Sequence, residues 1–323
     1  MKRLLLTGSN GFVGKVLLEY ILTAGYQVTC VTASPVKNKP LSFNSVHLDI
    51  RNKDAVGNLI KKVKPTHLVH LAAISDVASS FSDPLLTWET NVFGTVNILE
   101  ATKHHAPDCF SLFASSSEVY GSAFKSGLPL DEESKCHPLN PYAASKLAAE
   151  VAINQYLDSQ SVQGVIARPF NHIGPGQSPS FVTASFAKQI AMIEANKQEP
   201  VIKVGNLEAS RDFLDVHDVC LAYIKLLEEN SSLRHTTYNI CSGKAYKISN
   251  LLEIMLNQSS ESIVVELDPL RLRPSDIPFA VGNNTRIIDD IGWHIARPIE
   301  DTLTLLLNYW RHSTNTNLHD FKS

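Results

Sequence analysis

The chain has 323 residues, 44% of them hydrophobic and 19% charged, with a formal net charge of -3 at neutral pH. A chain of this size buries a core that needs neither disulfides nor a structural metal, and its slightly acidic balance argues against a dedicated nucleic-acid binder. Its five cysteines, Cys30, Cys109, Cys136, Cys220 and Cys241, are scattered with no CxxC pair, a pattern that suits reduced thiols in a cytoplasmic protein better than a disulfide framework or a zinc site.

At the N-terminus two basic residues, Lys2 and Arg3, precede a short apolar run and then a glycine-rich turn. That order reads as a strand and not a signal peptide. No run approaches the roughly 20 apolar residues needed to cross a bilayer, so no membrane partner is expected. Apolar runs at 3–6, 27–32, 46–48, 67–71, 110–115 and 164–168 predict strands, and periodic segments at 12–22, 55–63, 91–102 and 142–156 predict helices between them. Such alternation implies βαβ units and a parallel sheet. Beyond residue 170 the rhythm changes. Segments 171–180 and 267–278, rich in Pro, Gly and Arg, read as loops around a ligand. Helical patterns follow at 184–195, 216–227 and 299–310, with short strands at 238–241 and 263–266.

Thr7-Gly8-Ser9-Asn10-Gly11-Phe12-Val13-Gly14 follows the first strand and opens the first helix. Glycines at these positions permit a tight turn, close approach to a pyrophosphate and close helix-on-strand packing. The helix N-terminus then offers N–H groups and a positive dipole end to phosphate. The expectation is a doubly wound α/β fold of Rossmann type. A dinucleotide-binding domain spans 1–170, a smaller, interleaved lobe that is mainly substrate-binding spans 171–312, and 313–323 form a polar tail. Asp49 and Ile50, after the 46–48 strand, are placed at the adenine. Leu71, Ala72 and Ala73, ending another strand, are placed as a wall beside the cofactor. An acidic residue ending the second strand would bind ribose hydroxyls; here the strand ends Thr32-Ala33-Ser34, with Lys37 and Lys39 nearby. The choice between NAD(H) and NADP(H) therefore leans to NADPH.

Tyr142-Ala143-Ala144-Ser145-Lys146 follows Asn140 and Pro141, a capping residue and a first-turn proline, so Tyr142 and Lys146 share one helix face. A phenol titrates near 10 and is a poor acid at neutral pH. A lysine ammonium about 5 Å away, at an effective dielectric of about 20, would lower that by about two pH units. Ala114-Ser115-Ser116-Ser117-Glu118-Val119-Tyr120-Gly121 ends another strand, where a hydroxyl can bond the oxygen that Tyr142 protonates.

With these three motifs in this order, the chain resembles the extended short-chain dehydrogenase/reductase family. The resemblance implies Ser116, Tyr142 and Lys146 in catalysis, Lys146 also holding the nicotinamide ribose. It further implies a cofactor contact set including Asn91 and Pro169, and a homodimer formed through the helices at 91–102 and 142–156. The second half is similar to the GDP-4-dehydro-6-deoxy-mannose reductases. The similarity lies at Arg168-Pro169-Phe170-Asn171-His172-Ile173-Gly174-Pro175-Gly176-Gln177, at 204–213, at 268–276, and at the closing Gly292-Trp293 and 307–311. A GDP-linked sugar is thereby implied as substrate. A diphosphate calls for charge-assisted donors, for which Arg211 and Arg273 stand first and Lys188 and Arg271 second; Asn171, Phe181 and Val182 complete the substrate set. Three rivals stay open, one of them a different nucleotide-sugar epimerase. GDP-mannose 4,6-dehydratases use a Glu as base at C5, the position of Glu118, and a non-catalytic cofactor-binding sensor would share the fold.

Overall fold

The structure, a computed structural model, describes residues 2–34, 43–272 and 277–316. Its first half runs β1 (Arg3–Thr7), α1 (Phe12–Thr23), β2 (Gln27–Thr32), β3 (Asn44–His47), α2 (Lys53–Val63), β4 (His67–His70), α3 (Val77–Ser82), α4 (Pro84–Trp88), α5 (Gly94–His105), β5 (Phe110–Ala114), α6 (Pro141–Asp158) and β6 (Gln163–Pro169). There follow β7 (Asn171–Ile173), α7 (Val182–Glu194), β8 (Val201–Val204), β9 (Ser210–Arg211), β10 (Phe213–Asp215), α8 (Val216–Glu228), β11 (Thr237–Ile240), β12 (Tyr246–Lys247), α9 (Ile248–Leu256), β13 (Val264–Leu267), β14 (Phe279–Ala280), α10 (Thr285–Ile291) and α11 (Ile299–Asn315).

Seven parallel strands form the central sheet in the order β11-β6-β5-β4-β1-β2-β3. Alternation along β1 explains why both faces are covered. Leu4 and Leu6 point to a layer holding Leu17 and Ile21 of α1 and Val219 and Tyr223 of α8. Leu5 points the other way, to Val56 and Ile60 of α2, Leu99 of α5 and Ile153 of α6. A sheet buried on both faces needs near-continuous apolar strands, and β1 reads Arg-Leu-Leu-Leu-Thr. From β1 the chain builds outward to β2 and β3, then returns to place β4 on the other side. The C-terminal ends of β1 and β4 therefore frame the crevice where such Rossmann sheets bind ligands.

The smaller lobe has its own core of α7, α9, α11 and β8, centred on Phe186, Ile190, Leu251, Met255, Leu303 and Leu307. It is interleaved with the sheet, because β11 and α8 return from it to the seven-stranded layer and its face. Three expectations change. Residues 171–180 are not wholly loop: β7 pairs in parallel with β10, which anchors the segment to the lobe. The helix expected at 91–102 begins as a π-helical turn, Glu89–Phe93, before α5 takes over. Residues 313–315, expected in the polar tail, continue α11.

Among the described residues no helix is long and apolar enough to cross a membrane, and no group of three or more His, Cys, Asp or Glu side chains is placed to hold a metal. All five cysteines are free thiols.

Candidate active site

The glycine turn closes onto β4. Gly8 has φ +73, and a Cβ there would lie 2.7 Å from the Ala72 nitrogen. At Gly14 a Cβ would lie 2.3 Å from the Gly8 carbonyl oxygen, and at Gly11 3.2 Å from the same atom. Only hydrogen fits at the first two. Gly11 caps α1 without a side-chain bond to its N–H groups, and Asn10 and Gly11 are exposed. Phe12 and Val13 are half-buried, and Phe12 lies parallel to the His172 ring at 6.0 Å, so the start of α1 meets β7. Leu71, Ala72 and Ala73 follow β4, with the Ala72 N–H donating to Thr7 Oγ1 at 3.2 Å. A backbone cradle that a Cβ would fill, with free helix N–H groups at its rim, fits a dinucleotide pyrophosphate.

The Ser–Tyr–Lys group is linked to the start of this turn through His70, which hydrogen-bonds Thr7 and lies close enough to Lys146 to feel its charge. Asn140 Oδ1 accepts the Ala143 N–H at 2.8 Å and Pro141 takes the first turn, so α6 starts where Tyr142 must be placed. Ser116, Tyr142 and Lys146 are each 8% exposed, so all three are withdrawn from solvent. Burial pushes the Tyr142 phenol up to about 12; a hydrogen bond with Ser116 draws it down and the Glu118 charge pushes it up. Burial brings Lys146 down to about 8, opposed by the Glu150 carboxylate. This departs from the expectation that Lys146 acidifies the phenol. Its Nζ donates to the Ala114 carbonyl at 2.7 Å, and Ser116 is the group that lowers Tyr142.

Other expected residues fall in different places. Asn91, placed at the cofactor, is 2% exposed. Its amide exchanges bonds with Ile74 at 2.8 and 3.0 Å and donates to Ser145 Oγ at 2.9 Å, so it braces the β4 loop against α6 from behind. Asp49 is exposed and held by Arg51 at 2.6 Å, which lowers its carboxyl. Ile50 is buried beneath Gly94. Neither presents its side chain freely to an adenine. Pro169 is buried at the end of β6. Glu118 is exposed and accepts from Asn140 Nδ2 at 3.1 Å.

At the substrate end, Asn171 Nδ2 donates to the Asp212 carbonyl at 2.9 Å. Arg211 is half-buried and donates to the Ser210 carbonyl at 2.9 Å. Phe181 and Val182 are exposed at the start of α7. Lys188 lies in a groove of about 600 Å³ whose lining includes Ser180, Ser185, Gln189, Lys203 and Arg271, and its ammonium sits 5.6 Å over the Trp310 ring. Arg271, ranked second from the sequence, donates to Ser185 Oγ at 3.0 Å. Arg273 lies outside the described residues, as do Lys37 and Lys39.

Sequence reasoning missed the polar groups beneath the site. Thr7 Oγ1 meets His70 Nδ1 at 2.7 Å, His70 Nε2 meets Thr95 Oγ1 at 3.1 Å, and Thr95 donates to the Asn91 carbonyl at 2.6 Å. The chain joins the glycine turn to α6. Arg168 binds both oxygens of Glu150, at 2.9 and 2.6 Å. Glu150 stands one turn after Lys146, and that spacing was legible; the burial that makes it an ion pair was not.

The GDP-mannose 4,6 dehydratase family matches residues 5–305. The GDP-6-deoxy-D-mannose reductase of Pseudomonas aeruginosa is 38% identical over 309 residues, covering 96% of this chain and 97% of the relative. The solved structure of RMD from Pseudomonas aeruginosa complexed with NADPH superposes with a TM-score of 0.84 at 36% identity, covering 97% of this chain and 99% of that one. The UDP-glucose 4-epimerase of Thermus thermophilus, in complex with NAD, gives a TM-score of 0.84 at 26% identity over 96% of this chain and 99% of that one. With a match across nearly its whole length, this chain belongs to the GDP-mannose 4,6 dehydratase family.

Proposed function

We propose that this protein is an NAD(P)H-dependent oxidoreductase that reduces the C4 ketone of GDP-4-dehydro-6-deoxy-D-mannose to a GDP-6-deoxyhexose of the GDP-D-rhamnose type. What supports the reading is that Ser116 hydrogen-bonds the protonated Tyr142 phenol and that Lys146 follows Tyr142 by one turn of the same buried helix. Similarity to the Pseudomonas aeruginosa reductase supports the substrate, and the NADPH complex of that relative supports NADPH over NADH.

The glycine turn and the α1 N-terminus hold the pyrophosphate, with Leu71, Ala72, Ala73 and Pro169 as the walls of the crevice. When bound, the reduced nicotinamide supplies the hydride that C4 accepts. Tyr142 Oη gives its proton to the emerging alkoxide, which a phenol held up to about 12 retains until needed. Ser116 Oγ hydrogen-bonds the same oxygen and orients the ketone toward Tyr142. Lys146 holds the ribose and carries positive charge toward the reacting centre. Asn171, Phe181, Val182, Lys188, Arg211 and Arg273 are proposed to hold the nucleotide and sugar, with Arg271 added because it lines the groove beside α7.

The exposed side chains Phe81, Leu85, Trp88, Phe93 and Val151 form the outer face of α3, α4, the π-helical turn and α6. That apolar face supports a homodimer, centred nearer α3 and α4 than the helix pair expected from the sequence. Five free thiols suit a cytoplasmic location.

The test supplies purified protein with GDP-4-dehydro-6-deoxy-D-mannose and either reduced cofactor, following loss of reduced-nicotinamide absorbance. Turnover that falls at least about 100-fold in Tyr142→Phe, with cofactor affinity kept, is the expected result. Glu118 favours a second reading, because its charge acts on Tyr142 and a carboxylate here is the C5 base of a dehydratase. Conversion of GDP-mannose itself, with no turnover of the keto sugar, selects that alternative. Cofactor binding without turnover of any nucleotide sugar selects a sensor.

A further inference from the structure

We infer that Glu150 is a positioning residue of the reductase, its buried carboxylate holding Lys146 as an ammonium and pinning the two strand ends that flank the reacting centre. The inference deepens the proposed function and rests on it for its kinetic consequence.

Glu150 follows Lys146 by four residues and Tyr142 by eight, so all three share one face of α6. Its side chain is 2% exposed. Just past the end of β5 it accepts the hydroxyl of Ser115, which stands between Ala114, the carbonyl that takes the Lys146 ammonium, and Ser116. From β6 it accepts both arms of Arg168, the residue before Pro169. One carboxylate thus ties together the neighbours of the Ser116 hydroxyl, the Lys146 ammonium and the Pro169 wall.

Arg168 is itself held away from the crevice. Its Nη1 donates to Tyr120 Oη at 3.0 Å and to the Glu132 carbonyl at 3.3 Å, and its guanidinium lies 5.0 Å from the Tyr120 ring. Lys146 and Glu150 both line a small cavity of about 10 Å³, shared with His70, Thr95 and Ser115. That is room for about one water, and because both side chains are buried their charges are less screened than in bulk water. Of the other groups facing Lys146, His70 from β4 is uncharged at neutral pH, its ring held down to about 3 by burial and by the lysine itself. Tyr142 is protonated, and Arg168 stands beyond Glu150. The carboxylate is the nearby charge that favours an ammonium at Lys146. Were Glu150 only half of a structural ion pair, its loss would lower stability and leave the titration of Lys146 where it was.

The experiment compares the full-length protein with Glu150→Gln, which keeps shape and removes charge. In protein carrying 13C-labelled lysine, the Lys146 Cε resonance is assigned by its absence in Lys146→Met. Its midpoint is expected to fall by about one pH unit or more in Glu150→Gln. The high-pH limb of keto-sugar reduction should move down with it, so that kcat above the limb drops about tenfold while KM changes less. Glu150→Asp, shorter but charged, should restore part of both shifts. If Glu150→Gln does not fold, the paired Glu150→Gln/Arg168→Met variant leaves no buried charge without a partner and carries the same measurement. An unmoved Cε midpoint in a folded variant overturns the inference, whatever happens to its melting temperature. Lack of turnover in the unsubstituted protein would sink the proposed function, and the Cε titration would still decide on Glu150.

Discussion

Two glycines in the first βα unit separate shape from function. In Gly14→Ala the new methyl carbon would lie 2.3 Å from the Gly8 carbonyl oxygen and 2.8 Å from the Ser9 Cα, both backbone atoms with no rotamer to yield. The turn must move. Forcing a methyl into packed surroundings costs about 1–3 kcal/mol. If the displaced turn loses that much of its hold on the pyrophosphate, the dissociation constant of NADPH rises roughly 5- to 150-fold. Gly25 ends the same helix region with φ +78, but nothing lies within 4 Å of its added Cβ. Gly25→Ala therefore incurs only the left-handed backbone strain of about 1–2 kcal/mol, with no change in cofactor affinity. A fluorescence titration of NADPH on both variants, alongside thermal unfolding, reads the two effects apart. Equal affinity for Gly14→Ala and the unsubstituted protein would refute the cradle, as would weakened binding in Gly25→Ala alone.

Other outcomes follow from the same geometry. His70 is buried as a neutral ring, its titration lowered from 6.5 to about 3. The folded state binds fewer protons than the unfolded one across that window, so the stabilisation is complete above 6.5 and is lost as pH falls through about 3; by pH 5 the loss is about 2 kcal/mol. His70→Gln should flatten the acid side of the melting-temperature profile, and an unchanged slope would exclude His70 as its source. Asn91→Leu removes three bonds that join the Ile74 loop to α6; turnover should fall with cofactor and substrate affinity both weakened, measured by steady-state kinetics. Arg271→Ala takes a cation from the α7 groove and should raise KM for the nucleotide sugar with kcat little changed. A lower kcat at constant KM would place Arg271 nearer the chemistry.

What could be read without coordinates was local, and it depended on residues whose chemistry is tied to sequence spacing. The turn from Gly8 to Gly14 is legible because its glycines are required by backbone contacts within a few residues and with one neighbouring strand. Tyr142 and Lys146 are legible because one helical turn separates them. The surroundings of Asn91 were hidden by burial: an amide near the cofactor end of α5 reads as a ligand, whereas its oxygen and nitrogen are engaged by Ile74 and Ser145. Long-range pairs were invisible for a related reason. His70 and Thr7 are 63 residues apart and meet only because β1 and β4 lie side by side. In the lobe, β7 was hidden in a loop-like composition, since three residues paired with β10 leave no alternating pattern to detect.

The direction proposed for Tyr142 follows from charge and not from the motif. A phenol raised to about 12 by burial is an acid at neutral pH, which is the form that a ketone reduction needs at its first step. An oxidation at C4, the opening step for a dehydratase or epimerase on the same scaffold, needs the phenolate instead. A positively charged oxidised nicotinamide bound near Tyr142 would stabilise that phenolate, whereas the neutral reduced form would not. In the proposed site the same Ser–Tyr–Lys group would donate a proton with reduced cofactor bound and remove one with oxidised cofactor bound. Glu118 pushes the same way as burial, keeping the proton on Tyr142. A Glu118→Gln variant of a reductase should thus lower the Tyr142 titration and leave reduction at neutral pH nearly unchanged. In a dehydratase the same substitution removes the base at C5 and stops turnover, so one variant assayed with the two sugars separates the two chemistries.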